Sequence, residues 1–156
     1  MQGLEYRSPV RRVSALALPV SAALILLPST IRPLAAQEAS TDVEAASAAA
    51  TKWLALIDAG EYEASWTQAA SGFQDAVTPA VWTESVTNAR GSLEPFGDRE
   101  LISSQQVTDP PGAPPGDYVI LQYRTDVAGD RTAVETVVPM REGDAWKVSG
   151  YFVNPE

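Results

Sequence analysis

The chain has 156 residues, a formal net charge of −9, four tryptophans, and neither cysteine nor histidine. Lacking those two residue types, it cannot form disulfides, carry a lipidated cysteine, or build Ser-His-Asp or Cys-His nucleophilic sites. Zinc, copper, haem and iron–sulfur centres of the usual ligand sets are excluded as well, and so strong an acidic balance repels phosphate backbones, so nucleic acid is not an expected partner.

The first segment has the layout of a secretory signal. Arg7, Arg11 and Arg12 form a basic start, 13–27 is an apolar run broken by Pro19, and Ala35 and Ala36, after a bulkier Leu34, supply small residues before a cut expected after Ala36. The alternative, an uncleaved anchor, is disfavoured because the run falls short of the roughly 20 residues that span a bilayer. Val10 and Val13 around the arginine pair do not support twin-arginine export. The expected organisation is therefore a signal peptide at 1–36 and a single domain at 37–156, exported to the periplasm or secreted, with no stable membrane span after cleavage. Cleavage would leave seven basic and nineteen acidic residues, a net charge of −12.

Thr41 with Glu44 reads as a capping box at the start of a first helix, in which Val43, Ala46, Ala50, Trp53, Leu54 and Ile57 make one apolar stripe that Gly60 closes. A second helix fits 61–70, with Tyr62 and Trp66 four apart, and Ser71 and Gly72 ending it. Phe73 is expected to enter the core from the linker. Thr78 followed by Pro79 signals the start of a third helix, with Trp82, Val86 and Arg90 on one face and Gly91 and Pro95 beyond its end.

From there the period becomes alternating. A polar strand is expected over 96–107, and the four prolines of 108–117 require a loop, because proline lacks the donor that a strand ladder needs. Strands follow over 118–127, 131–141 and 145–153, joined by turns at 128–130 and 142–144. Val119, Leu121, Tyr123 and Val127 share one face of the first of these. Val134, Thr136, Val138 and Met140 share a face of the second, opposite Glu135. On the last, Trp146, Val148 and Phe152 are expected on one face and Lys147, Ser149 and Tyr151 on the other. Helices followed by an antiparallel meander define an α+β fold, with about three N-terminal helices packed on a curved antiparallel sheet of about four strands.

Trp53, Asp58, Tyr62, Trp66, Phe73, Trp82, Arg90, Gly97, Arg99, Tyr118, Tyr123, Glu135 and the closing Trp146, Lys147, Val148 and Tyr151 occur in an order that resembles the bacterial domain-of-unknown-function family 4019. The resemblance covers about 45–153 and implies an exported protein with a cystatin-like or nuclear-transport-factor-2-like α+β shape. It implies no established reaction, ligand or catalytic residue. The long proline-rich loop before Tyr118 departs from the family pattern.

Asp126 and Asp130 lack the further acids of a calcium loop, so that segment reads as a hairpin turn, and no glycine-rich phosphate loop is present. No metal, cofactor or catalytic residue is therefore assigned. The candidate ligand-binding residues are Asp58, Trp66, Trp82, Arg90, Arg99, Tyr118, Tyr123, Glu135 and Tyr151. Arg90 can hold an anionic ligand, or pair internally with Asp58 or Glu135 while stacking on Trp82. Asp58 stands near a helix C-terminus, where an anion is disfavoured and needs a partner. Glu135 is either a base in a pocket or a solvated or arginine-paired strand residue, and the aromatic residues either line a pocket or fill the core. The tyrosine hydroxyls either rim a site or satisfy themselves on backbone carbonyls.

Three functional readings follow. The favoured one is a non-catalytic exported module that binds an unknown small molecule or protein, with a homodimer through the sheet as one form. The second is a small isomerase or dehydratase-like enzyme working through a carboxylate with a raised pKa. The third is an envelope structural protein without a pocket.

Overall fold

The computed structural model describes residues 34–156, with side chains from Glu38 onward. Apart from residues 34–36, the expected signal segment lies outside the described residues.

Helix α1 spans Leu34–Asp58. Thr41 and Glu44 lie within it, so the expected capping box is not its start, and no glycine or proline interrupts the alanine-rich stretch between Leu34 and Gly60. The predicted stripe is the buried face, with Ala46, Ala50, Trp53, Leu54 and Ile57 in the core. The end follows from Gly60 in the left-handed region at φ 72°. Gly60 N–H donates to Ile57 O and Glu61 N–H to Leu56 O, the paired bonds that satisfy a helix's last carbonyls. This geometry makes Asp58 the last helical residue.

Helices α2 (Tyr62–Gln68) and α3 (Ser71–Ala76) replace the single helix expected over 61–70. Between them Ala69 and Ala70 are extended, and the Ala70 N–H donates to Val148 O at 2.8 Å. That tie to the sheet is a tertiary contact with no local sequence signal, and it places Phe73 on α3 rather than on a linker. Helix α4 runs Pro79–Arg90 with Thr78 as N-cap, its hydroxyl accepting from Val81 N–H at 3.4 Å.

Strands β1 (Arg99–Thr108), β2 (Asp117–Val127), β3 (Arg131–Glu142) and β4 (Ala145–Pro155) form one antiparallel sheet in the order β1-β2-β3-β4. With the helices preceding it, this is an α+β fold. The first strand starts at Arg99, not Phe96. Residues 96–98 instead lead into it, with Gly97 and Asp98 already exchanging backbone bonds with Asp126. The turn between β2 and β3 has Gly129 and Asp130 both at positive φ, as a tight hairpin requires.

The face toward the helices carries Val119, Leu121, Tyr123, Thr125 and Val127 of β2, all buried. From β3 it carries Ala133, Glu135 and Val137, also buried. On β4 the expected single phase is broken. Val138 pairs with Gly150 but Pro139 with Val148, so Ser149 is an extra residue in the ladder. A bulge of this kind exchanges the two faces beyond it. Trp146 and Val148 therefore pack on the core before the bulge, Tyr151 packs on it after, and Phe152 turns outward, 60% exposed.

Trp53, Trp82, Phe73 and Tyr151 meet as an aromatic core, with ring centroids 5.1 to 6.3 Å apart. Buried Ser65 binds two of the indoles: Trp53 Nε1 donates to its carbonyl at 2.8 Å and Trp82 Nε1 to its hydroxyl at 3.0 Å. On the opposite face, Tyr118 and Met140 pack with Ala70, and the proline-rich loop folds back so that the Tyr118 hydroxyl donates to Pro114 O at 2.7 Å. Among the described residues no helix is long and apolar enough to cross a membrane.

Candidate functional site

Two helix ends and all four strands meet at one charged cluster. Asp58 comes from the end of α1, Arg90 from the end of α4, Arg99 from β1, Thr125 from β2, Glu135 from β3 and Tyr151 from β4. Arg90 gains from its place at a helix C-terminus, whereas Asp58 sits against the negative end of its own helix and depends on the two arginines.

Glu135 is fully buried. Its Oε1 accepts from the Tyr151 hydroxyl at 2.6 Å and from Arg90 Nη1 at 3.2 Å. Its Oε2 accepts from Arg99 Nε at 2.5 Å and from the Thr125 hydroxyl at 2.7 Å. Asp58 closes the ring. Arg90 Nη2 donates to its Oδ1 at 2.8 Å, and Arg99 grips both of its oxygens, at 2.6 and 2.8 Å. Arg90 Nη1 also donates to the Tyr151 oxygen at 3.0 Å, and its Nε faces Glu94 at 3.5 Å. The Arg90 guanidinium lies 3.6 Å from the centroid of the Phe96 ring, so it stacks on Phe96 and not on Trp82 as expected.

Electrostatics follow from this packing. Burial works to raise the Asp58 carboxyl, but hydrogen bonds and charge from Arg99 and Arg90 together outweigh it and hold the group below its ordinary value. Burial, then the charge of Glu135, pushes the Tyr151 phenol well above its ordinary value. That phenol remains a neutral donor at any physiological pH, far from the matched pKa a general acid or base needs. Among the described residues no buried side-chain nitrogen or oxygen lacks a hydrogen-bond partner.

Five of the nine candidate residues, Asp58, Arg90, Arg99, Glu135 and Tyr151, thus form one connected cluster. Trp82 touches its border through the Tyr151 ring, at 6.3 Å between centroids. Tyr123 is buried nearby, in the core that packs against α1. The other two lie apart. Trp66 donates its indole N–H to Val77 O at 2.8 Å, and Tyr118 is on the opposite face of the sheet. Thr125 and Phe96 belong to the cluster without having been singled out. The first had a signal, as the one polar residue in the apolar phase of β2; the second, between helix and strand, had none.

A helix-backed four-stranded antiparallel meander, fastened at one end by an internal ion-pair network, is the class of domain that these features define. The family profile described as "Protein of unknown function (DUF4019)" matches residues 49–151, and the chain belongs to that family. No curated protein matches it. Among solved structures it is similar to the structure of Bdellovibrio bacteriovorus Bd1075, at 18% identity and a TM-score of 0.42, over 77% of this chain and 40% of that one. The chain thus spans less than half the length of that protein.

Proposed function

We propose that the chain is an exported, non-catalytic binding module whose charged cluster fastens the fold and whose ligand or partner is met at the surface. The observation that carries this reading is the closure of the cluster: both Glu135 oxygens, both Asp58 oxygens and both guanidinium groups are bonded to one another. A catalytic carboxylate instead needs an oxygen open to substrate and a partner poised to exchange a proton. Export is supported by the order of basic, apolar and small residues in 1–36. Among the described side chains, the first on α1 to pack against the core is Val43, beyond the expected cut after Ala36.

Native mass spectrometry of the protein recovered from an envelope fraction tests this. A mature chain beginning near Gln37 and carrying a small molecule or protein is expected. Recovery in the cytosol with residues 1–36 intact would overturn export. A stable Arg90→Ala variant that loses a copurifying ligand would overturn the fastening role.

A homodimer through the outer sheet face is a second form of this reading. It is favoured by Phe152, exposed beside Ile120, Val138 and Val107 around an apolar hollow of about 270 Å³. Near that face Arg124 pairs with Glu156 at 3.2 Å, a pair that adds no net charge.

A further inference from the structure

A cleft of about 420 Å³ lies between α1 and β4, lined by Ala45, Ala48, Ala49, Lys52, Trp53, Gln68, Trp146, Lys147 and Val148. Its volume falls within the range of small-ligand sites. Lys52 and Lys147 are the only lysines in the chain, and both line this cleft, whereas no acidic residue among the described ones does. In so acidic a protein that leaves the cleft with lysines as the charges its own lining presents.

The hydrogen-bonding inventory points the same way. Trp53, Trp66 and Trp82 all spend their indole N–H groups inside the protein. Among the described residues, the Trp146 indole N–H, the Gln68 amide and the Lys52 ammonium have no hydrogen-bond or ion-pair partner. Three donors without acceptors therefore stand around one cleft. Lys147 is held by Glu142 at 3.0 Å, and Arg141 lies over the Trp146 ring at 4.8 Å while paired with Asp42. Those two pairs are neutral, so Lys52 carries the uncompensated charge. Trp53 and Val148, both nearly buried, give the cleft an apolar floor, and the short alanine side chains of α1 leave the space open.

We infer that this cleft binds a small organic anion with a flat apolar body, an aromatic carboxylate in chemical class. Its carboxylate would meet Lys52, with Gln68 and the Trp146 N–H as further donors, and its ring would lie over the Trp53 and Val148 floor. The inference rests on the binding-module reading and gives that module a site.

The test is an NMR titration of the ¹⁵N-labelled protein with 2-naphthoate, beside neutral 2-naphthalenemethanol. Saturable shifts are expected at the Trp146 indole and along residues 45–52, with the alcohol binding about tenfold more weakly for want of the charge-assisted contact. Lys52→Glu should weaken naphthoate by about tenfold or more. Ala48→Phe, at an exposed helix position, should fill the cleft and remove binding while the rest of the spectrum stays folded. No shifts up to millimolar naphthoate, equal affinity for the alcohol, or unchanged affinity in Lys52→Glu would each overturn the cleft. They would leave the module reading standing, since that is decided by what copurifies with the native protein.

Discussion

Arg90 reaches Asp58, Glu135, Tyr151 and the Phe96 ring, and so connects two helices, two strands and a linker through one side chain. Removing it leaves Glu135 buried with one cation fewer, and truncating one partner of a buried ion pair costs about 3–5 kcal/mol. Against a total of about 5–15 kcal/mol for a domain, Arg90→Ala is expected to leave a large unfolded fraction at 37 °C, measurable by urea denaturation. Asp58 contributes to the acid dependence of stability, alongside Glu142 and Glu156, which are also held below their ordinary values. The folded-state pKa of Asp58 lies below the ordinary value of 3.8, so the stability it contributes is fully present above that value and is lost as pH falls through the lower, folded one. Acid unfolding followed by circular dichroism should therefore steepen below about pH 4, and Asp58→Asn should flatten that limb while lowering stability at neutral pH. An unchanged slope in the variant would mean that Asp58 is not held by the arginines in solution.

At the scale of elements, what was legible in the sequence is what local chemistry dictates. The stripe of α1, the Thr78 and Pro79 start of α4 and the face of β2 all follow from side-chain period and capping. The need of Asp58 for a partner follows from its place near a helix C-terminus. The parts that were not legible depend on contacts distant in sequence. The break between α2 and α3 is fixed by Ala70 bonding to Val148, and Arg90 rests on Phe96 because residues 96–98 stay out of the strand to bond with Asp126. Glu135 could be placed opposite Val134 and Val138, but whether that face met water or helices needed the whole sheet. The bulge at Ser149 is the sharpest case. Uniform alternation puts Phe152 inside with Trp146, whereas the extra residue turns Phe152 out and Tyr151 in. Ser149 itself only donates its hydroxyl to Val138 O at 2.8 Å, so Ser149→Ala should cost about 1 kcal/mol. Deleting Ser149 should instead regularise the ladder, since Gly150 would follow Val148 directly opposite Val138, leaving Tyr151 facing Glu135 and Phe152 facing outward. Retention of the near-ultraviolet tryptophan signal in both the deletion and Ser149→Ala is the expected outcome; its loss in the deletion alone would show that Ser149 is not simply the extra residue of the ladder.

For the whole molecule, apolar surface and charge are distributed unequally between the two sides of the sheet. One side is closed by helices and an aromatic core; the other keeps Phe152 in solvent, 60% exposed. A chain carrying −9 overall opposes self-association at low ionic strength, but that opposition is screened within a Debye length of about 8 Å at physiological salt. Apolar contact through Phe152 is not screened, and the Arg124–Glu156 pair near it adds no net charge. Sedimentation velocity should consequently show a dimer fraction that grows with protein concentration and with added salt. Phe152→Asp places a carboxylate at the centre of the contact and should remain monomeric under the same conditions, with little change in melting temperature because the side chain is already largely in water. A wild-type chain that stays monomeric at high salt would reserve this face for a different partner, and a Phe152→Asp variant that still dimerises would move the contact to another surface.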